Sequence, residues 1–152
     1  MNLLTRFVRR KLIRFGFLTP RIYVGCSLTH SSLEFKAEVE DFKETLRDGG
    51  YEVLEFLGLI GGTAQDVYLW DIYHCVSRSD VFVAICDDSS SCLGYELAAA
   101  VEKFRIPVIA VAHENSKISR LILGITSKSF SFQRYKYMSE VAGFLQIRVR
   151  NL

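Results

Sequence analysis

Beyond Pro20, the hydrophobic residues of the chain follow two different spacings in turn. Residues 80–86 (DVFVAIC) and 106–112 (IPVIAVA) are almost continuously apolar, which is typical of strands buried on both faces of a parallel sheet. Residues 33–48 instead carry an apolar residue at every third or fourth position and are followed by two glycines. That spacing and that stop signal predict a helix. The pattern as a whole predicts strands and helices in alternation.

Five strands and five helices are expected in this part of the chain. The predicted strands are residues 21–26, 51–56, 80–86, 106–112 and 129–132. The predicted helices are residues 33–48, 66–79, 92–104, 118–123 and 137–148, with a glycine-bearing loop at 58–63. Strands that alternate with helices form right-handed βαβ units. We therefore expect one α/β domain over residues 20–152, a flavodoxin-like (Rossmann-like) five-stranded parallel sheet with helices on both faces.

Residues 1–19 predict an additional basic amphipathic helix in front of this domain. Apolar residues recur at helical spacing on one side and basic residues lie on the other: Leu4, Phe7, Val8, Leu12 and Phe15 against Arg6, Arg9, Arg10, Lys11 and Arg14. Three interpretations are open. The first expectation is a helix that packs on the domain or joins two copies. The alternatives are a helix on a membrane surface and an organelle-targeting segment.

Composition limits the class of protein but does not indicate a binding partner. Hydrophobic residues make up 49% of the chain, enough for a buried core. The net charge of +2 argues neither for a nucleic-acid partner nor for a membrane, and no apolar run reaches membrane-spanning length. The four cysteines form no CxxC pair and no zinc spacing with histidine. We expect reduced thiols, a cytoplasmic protein, and neither a metal nor another cofactor.

The ligand site of such a sheet lies outside the carboxyl ends of its strands. This places residues 25–30, 87–96 and 113–119 together. In the second segment, serines precede a predicted helix whose first amides have no partner within the helix and can bind a phosphate. Glu96 falls near the first turn, where the helix dipole favours an ionised carboxylate. Such a carboxylate suits covalent glycosyl chemistry; the alternative is that Glu96 only stabilises its helix.

Three blocks of sequence resemble the nucleoside 2-deoxyribosyltransferase family and the related 2′-deoxynucleoside 5′-monophosphate N-glycosidases. The blocks are residues 22–27 (IYVGCS), residues 79–84 (SDVFVA) with 90–96 (SSCLGYE) and 98–100 (AAA), and residues 107–111 (PVIAV) with 119–124 (SRLILG). The Gly-Tyr-Glu sequence at the helix start is the most specific part. The resemblance implies a homodimer or larger homo-oligomer that cleaves the N-glycosidic bond of a small-molecule nucleotide or nucleoside, by hydrolysis or by transfer to another base.

The resemblance also implies roles for individual residues. Glu96 corresponds to the nucleophile that attacks C1′ of the sugar, Tyr23 to the residue that orients it, and Asp71 to the general acid. The substrate-binding residues that the same blocks imply are Gly25, Ser27, Ser90, Gly94 and Ser119, the last reaching in from a neighbouring subunit. Asp87 and His113 are further candidates by position alone, because each stands at the carboxyl end of a predicted strand; Asp87 can equally cap its turn.

Some positions depart from the family pattern. Cys92 stands where the family has a glycine, and the opening turn reads Gly-Cys-Ser instead of Cys-Gly-Ser or Ala-Gly-Ser. Asp71 lies one residue further from Ser79 than the family spacing predicts, which leaves Asp66 as the alternative general acid. Two other functions stay open: a non-catalytic nucleotide-binding or sensing module, and an NAD-cleaving glycohydrolase on a related fold.

Overall fold

A computed structural model of the chain describes residues 3–28, 31–56 and 62–152. The strands are β1 (Arg21–Cys26), β2 (Glu52–Leu54), β3 (Val81–Ile85), β4 (Val108–His113) and β5 (Phe130–Tyr135). The α-helices are α1 (Leu3–Arg14), α2 (Leu33–Asp48), α3 (Ala64–Tyr68), α4 (Ser91–Ala98), α5 (Arg120–Leu123) and α6 (Ser139–Arg150). Helix α3 continues as a π-helix over Leu69–Cys75 and a 3-10 turn over Val76–Arg78, and α4 continues as a π-helix over Ala99–Phe104.

The strands form one parallel sheet in the order β2-β1-β3-β4-β5. This order confirms the predicted flavodoxin-like fold. The chain moves from β1 outward to β2 and then returns to β3 on the other side of β1, so the strand order reverses between β1 and β3. The carboxyl ends of these two strands border the crevice in which doubly wound sheets bind their ligands.

The predicted elements are confirmed, with shifts at their ends. Helix α2 has the predicted bounds, and the Ser32 hydroxyl caps it by accepting the Phe35 amide at 3.1 Å. Strand β2 is shorter than predicted and pairs with β1 over Glu52–Leu54, whereas β5, at the other edge, extends beyond the predicted residue 132 to Tyr135. Helix α3 begins two residues early, because Thr63 and Asp66 form a reciprocal capping box. Most of the predicted loop at 58–63 lies outside the described residues.

The sheet separates two apolar layers. One layer packs β-strand side chains against α4 and the helical segment that follows α3, and the other packs them against α2 and α6. Successive residues of a strand point to opposite faces. Ile22 and Val24 therefore join the α2 layer, and Tyr23 joins the layer beneath α4. This alternation turns the Tyr23 side chain toward the start of α4.

Helix α1 lies against the domain, but it packs through its basic side. The Arg6 side chain is buried, and its Nη2 donates to the Ser77 carbonyl at 2.7 Å. Arg9 donates to both carboxylate oxygens of Asp80, at 2.8 Å from Nε and 2.9 Å from Nη2. The arginines dock here because helix C-termini, with their unpaired carbonyls, lie at the amino end of the sheet. Packing through the apolar side, the usual arrangement of an amphipathic helix, does not occur.

The helix ends at Arg14, short of the predicted residue 19. Gly16 adopts a left-handed φ of +76°, and its amide donates to the Ile13 carbonyl at 2.9 Å. The Phe17 amide donates to the Leu12 carbonyl at 2.8 Å. These two bonds form a Schellman motif, which terminates a helix at a glycine. None of the helices formed by residues 3–28, 31–56 and 62–152 combines the length and apolar character needed to cross a bilayer.

Candidate active site

Glu96 is an almost fully buried carboxylate on α4. Its side chain is 9% exposed. The Tyr23 hydroxyl donates to Glu96 Oε1 at 3.0 Å, and the Tyr23 ring packs against the Phe82 ring with 5.1 Å between their centroids. Packing between β1 and β3 therefore positions the Tyr23 phenol, and the phenol in turn positions the Glu96 carboxylate. The predicted nucleophile and the residue predicted to orient it lie in direct contact.

Because Gly25 has no side chain, the Glu96 carboxylate can lie close to the backbone of β1. A Cβ atom on residue 25 would lie 2.8 Å from Glu96 Oε2 and 2.8 Å from the Phe82 ring. Both distances are well inside van der Waals contact, so any larger residue would displace one of these groups. The glycine that the sequence predicts for substrate binding is therefore also required for the position of Glu96.

A cavity of about 140 Å³ opens beside Glu96. Its lining residues are Tyr23, Gly25, Cys26, Leu28, Phe56, Val67, Asp71, Ser90, Cys92 and Glu96. The lining combines two carboxylates with small or apolar side chains. A site with this composition can bind the apolar face of a sugar or a base and supply both an acid and a nucleophile.

Asp71, the predicted general acid, lies on a segment of π-helix. That segment spans Leu69–Cys75, and Asp71 lines the cavity beside Glu96. A π-turn accommodates one additional residue within a helix, and such segments often occur at functional sites.

Asp66, the alternative acid, has a different position. Its side chain is exposed and accepts hydrogen bonds from the Thr63 amide at 2.8 Å and the Thr63 hydroxyl at 2.9 Å. These bonds lower the pKa of Asp66 below its ordinary value. Asp66 is not among the residues that line the Glu96 cavity. The structure therefore brings Asp71, and not Asp66, close to Glu96.

Burial controls the charge of Glu96. The pKa of Glu96 rises from 4.5 to about 7; burial is the largest cause, the Tyr23 hydrogen bond opposes the rise, and the Asp71 carboxylate adds to it. Burial and the neighbouring Glu96 also raise the pKa of Tyr23, so the phenol keeps its proton and remains a donor. At neutral pH, Glu96 is divided between an ionised form that can attack an electrophile and a protonated form that cannot.

A second cavity, of about 330 Å³, lies on the other side of Ser90. Its lining residues are Cys86, Asp88, Ser89, Ser90, Ser91, Leu93, Gly94, Lys117, Ile118, Ser119, Leu121 and Ile122. Three of the residues predicted to bind substrate, Ser90, Gly94 and Ser119, therefore lie around one space. Ser119 lines the cavity of its own chain, whereas the resemblance implies a serine from a neighbouring subunit.

Two of these serines also cap helices. The Ser90 hydroxyl accepts the Leu93 amide at 3.2 Å at the start of α4, and the Ser119 hydroxyl accepts the Leu121 amide at 3.2 Å at the start of α5. Each hydroxyl keeps its own proton available for a ligand. Ser27, the remaining predicted serine, is buried at the end of β1 and is absent from both linings. Its substrate contact stays a prediction.

Asp87 and His113 lie together in a separate cluster. Asp87 accepts hydrogen bonds from the His113 amide at 2.5 Å, the Ser116 hydroxyl at 3.2 Å and the Tyr135 hydroxyl. The His113 ring packs edge-on against the Tyr135 ring. Neither Asp87 nor His113 is among the lining residues of the two cavities. The geometry favours a structural connection between the ends of β3, β4 and β5, and their predicted substrate contact stays a prediction.

Phe56 and Lys117 are lining residues that the sequence did not single out. Phe56 follows the end of β2 by two residues and lines the Glu96 cavity. Lys117 lies between β4 and α5 and brings a cation to the second cavity. Both follow the carboxyl end of a strand, where the fold places its ligands. That position is the signal by which each residue could have been found.

Comparison with known proteins supports the fold. No protein-family model matches the sequence, and no curated protein matches it significantly. Among solved structures, the CMP N-glycosidase BcmB of Clostridium botulinum matches with 20% sequence identity and a TM-score of 0.61. The match covers 83% of this chain and 98% of that chain. At this identity, the likeness shows a shared fold.

Proposed function

We propose that this chain cleaves the N-glycosidic bond of a nucleoside 5′-monophosphate or nucleoside through a glycosyl-enzyme on Glu96. The observation that carries the proposal is the buried Glu96 carboxylate, hydrogen-bonded to Tyr23 in a cavity that also contains Asp71. The fold shared with a CMP N-glycosidase supports a substrate of this chemical class.

The reaction needs the two carboxyl groups in opposite protonation states. In the first step, a Glu96 oxygen bonds to C1′, the bond from C1′ to the base nitrogen breaks, and Asp71 gives its proton to the departing base. In the second step, Asp71 accepts a proton from water while the water oxygen bonds to C1′ and releases Glu96. Two carboxyl groups in one cavity favour a single shared proton, and this mechanism requires that proton on Asp71.

The second cavity suits the 5′-phosphate of a nucleotide. It adjoins the Glu96 cavity at Ser90 and offers serine hydroxyls together with the Lys117 ammonium group. Serine hydroxyls donate to phosphate oxygens, and a lysine supplies a compensating charge. A sugar at Glu96 would then direct its 5′-phosphate past Ser90. This arrangement favours a nucleotide over a nucleoside as the substrate.

The decisive experiment measures base release from CMP, dCMP, the other nucleoside monophosphates, deoxynucleosides and NAD. We expect Glu96→Gln to lower base release roughly 10³-fold or more, because the amide cannot attack C1′. Glu102→Gln is the matched control: Glu102 lies in the π-helical continuation of α4 and is exposed. It should release base at the wild-type rate.

Three results would contradict the proposal. Base release that survives Glu96→Gln would remove Glu96 from the mechanism. A wild-type protein that binds a nucleotide, as seen by a thermal shift, but releases no base would indicate a sensing module. Release from NAD alone would indicate a glycohydrolase of another substrate class. Adding a second free base to the assay separates hydrolysis from transfer, since only a transferase forms a new nucleoside or nucleotide.

We further propose that the protein forms a homodimer or larger homo-oligomer through an exposed tyrosine cluster. The Tyr68 ring contacts the rings of Tyr73 and Tyr95 at the surface, with centroids 5.8 Å and 6.1 Å away. Tyr95 is 54% exposed and adjoins Glu96 in the chain. Exposed aromatic clusters of this kind are enriched at interfaces. Light scattering of wild type and Tyr95→Ser tests it; an unchanged mass would contradict it.

A further inference from the structure

The outward side of helix α1 is apolar. Phe7 and Phe15 are 56% and 70% exposed, and Phe17, in the turn that follows the helix, is 74% exposed. The apolar surface consists of Leu4, Phe7, Val8, Leu12, Phe15, Phe17 and Leu18. Contiguous exposed apolar side chains of this size are unusual on a protein surface and indicate a contact with a partner or a lipid surface.

The packing of α1 explains why this surface faces outward. Arg6, Arg9 and Arg10 bond to groups on the domain: the Ser77 carbonyl, the Asp80 carboxylate and the Arg105 carbonyl. A helix anchored through one side presents its opposite side to its surroundings. The bonds that hold α1 therefore also hold its apolar side away from the domain.

Charge distinguishes between the possible occupants of this surface. Lys11 and Arg14 are exposed on α1, and the Lys11 ammonium lies 4.6 Å from the centre of the Phe7 ring. The sequence contains no acidic residue before Glu34. Pairing of two α1 helices would bring like charges together with no acid on either helix to compensate them. An anionic lipid surface accepts the apolar side chains and neutralises the bordering cations at once.

We propose that α1 and residues 15–18 form a membrane-contacting surface that binds anionic lipid bilayers. The phenylalanine side chains enter the interfacial region, and Lys11 and Arg14 contact lipid phosphates. The anchoring arginines lie at the amino end of the sheet, whereas the Glu96 cavity lies at the carboxyl end. The bound protein would therefore keep its cavity open to the aqueous side. This proposal is independent of the proposed chemistry.

Vesicle co-sedimentation of the full chain tests it. We expect wild type to sediment with vesicles of mixed phosphatidylcholine and phosphatidylglycerol and to stay in solution with phosphatidylcholine alone. Phe7→Gln/Phe15→Gln/Phe17→Gln should abolish sedimentation. Lys11→Gln/Arg14→Gln should weaken binding about tenfold or more and reduce its dependence on salt. Leu33→Gln is the control, because Leu33 is an exposed apolar residue at the other end of the sheet.

Each alternative has its own result. Equal binding of wild type to neutral and anionic vesicles would overturn the proposal, as would undiminished binding of the triple variant. A wild-type oligomer that dissociates in the triple variant, without vesicle binding by wild type, would show that α1 joins two copies. Thermal unfolding verifies that the variants are folded. The Lys11→Gln/Arg14→Gln variant keeps every apolar side chain, so it tests the electrostatic contribution to vesicle binding by itself.

Discussion

The two ends of the parallel sheet each hold a buried carboxylate, and the two carboxylates have different surroundings. At the amino end, Asp80 accepts two hydrogen bonds from Arg9 through Nε and Nη2, and one from the Arg21 amide at 2.8 Å. At the carboxyl end, Glu96 has one described hydrogen bond, from Tyr23. Asp80 is 5% exposed and Glu96 is 9% exposed, so burial alone does not separate them.

What separates them is the charge compensation around each. A buried carboxylate that is paired with a cation and fully hydrogen-bonded is structural, and removing its charge leaves the cations uncompensated. A buried carboxylate with a neutral partner has a raised pKa and can share a proton or form a bond. Asp80 therefore has the surroundings of a structural ion pair, and Glu96 has the surroundings that the proposed reaction requires.

The largest effect is expected for Asp71, the second carboxylate in the cavity at the carboxyl end of the sheet. Asp71→Asn should lower kcat about 10²- to 10⁴-fold, because the amide cannot protonate the departing base. Asp66→Asn should leave kcat unchanged and lower the free energy of unfolding by less than about 1 kcal/mol, because it weakens only a helix cap. Steady-state base release and urea unfolding measure the two quantities. The opposite pattern would make Asp66 the acid.

At the amino end, Asp80→Ala should lower the free energy of unfolding by about 3 kcal/mol, because it leaves Arg9 and the Arg21 amide without their acceptor. The base-release rate of the folded protein should not change. Urea unfolding of Asp80→Ala and of the exposed-residue control Glu114→Ala measures the difference. A loss of kcat in folded Asp80→Ala would show that Asp80 also contributes to the reaction, and would contradict a purely structural role for it.

A smaller effect is expected where the backbone approaches Glu96. Gly25→Ala should cost about 1–3 kcal/mol of stability and lower kcat, because its Cβ would meet Glu96 Oε2 and the Phe82 ring. Gly143→Ala is the matched control: its Cβ meets no atom within 4 Å on α6, so it should stabilise the protein by up to about 1 kcal/mol. Equal behaviour of the two variants would contradict the close packing around Glu96.

The smallest effect concerns pH. Because the pKa of Glu96 rises from 4.5 to about 7 on folding, the folded state binds this proton more tightly than the unfolded state. The contribution of Glu96 to stability is therefore highest below pH 4.5 and declines as the pH rises to about 7. Base release, which needs the ionised form, should instead increase over the same range.

Two variants isolate the contribution of Glu96 to these profiles. Glu96→Gln should remove its part of the pH dependence of stability. Tyr23→Phe should shift the rise of base release upward by about one pH unit, because it removes the hydrogen bond that favours the ionised carboxylate. Unfolding curves and rate profiles between pH 4 and 9 would be compared with wild type. A downward shift in Tyr23→Phe would contradict a Tyr23 hydrogen bond that favours the ionised Glu96 carboxylate.

The sequence by itself determined the order of the elements and the place of the candidate nucleophile. Continuous apolar runs require burial on both faces, so they specify the central strands β3 and β4 without knowledge of their neighbours. Helical spacing, the Ser32 cap and the terminal glycines specify α2 in the same local way. Glu96 was singled out because strand, serine loop and helix start are consecutive in the chain, and its interpretation as a nucleophile came from the resemblance of the Gly-Tyr-Glu block to the nucleoside 2-deoxyribosyltransferase family.

Tertiary structure decided the features that depend on residues distant in sequence. The hydrogen bond between Tyr23 and Glu96 joins residues 73 positions apart, and Asp71 lies on a π-helix that hydrophobic spacing does not predict. The packing side of α1 depends on carbonyls and a carboxylate at the amino end of the sheet. Periodicity shows that a helix has two sides, but only the surface it meets decides which side packs. For α1 that surface offers hydrogen-bond acceptors, the Ser77 and Arg105 carbonyls and the Asp80 carboxylate, so the arginines pack and the phenylalanines face outward.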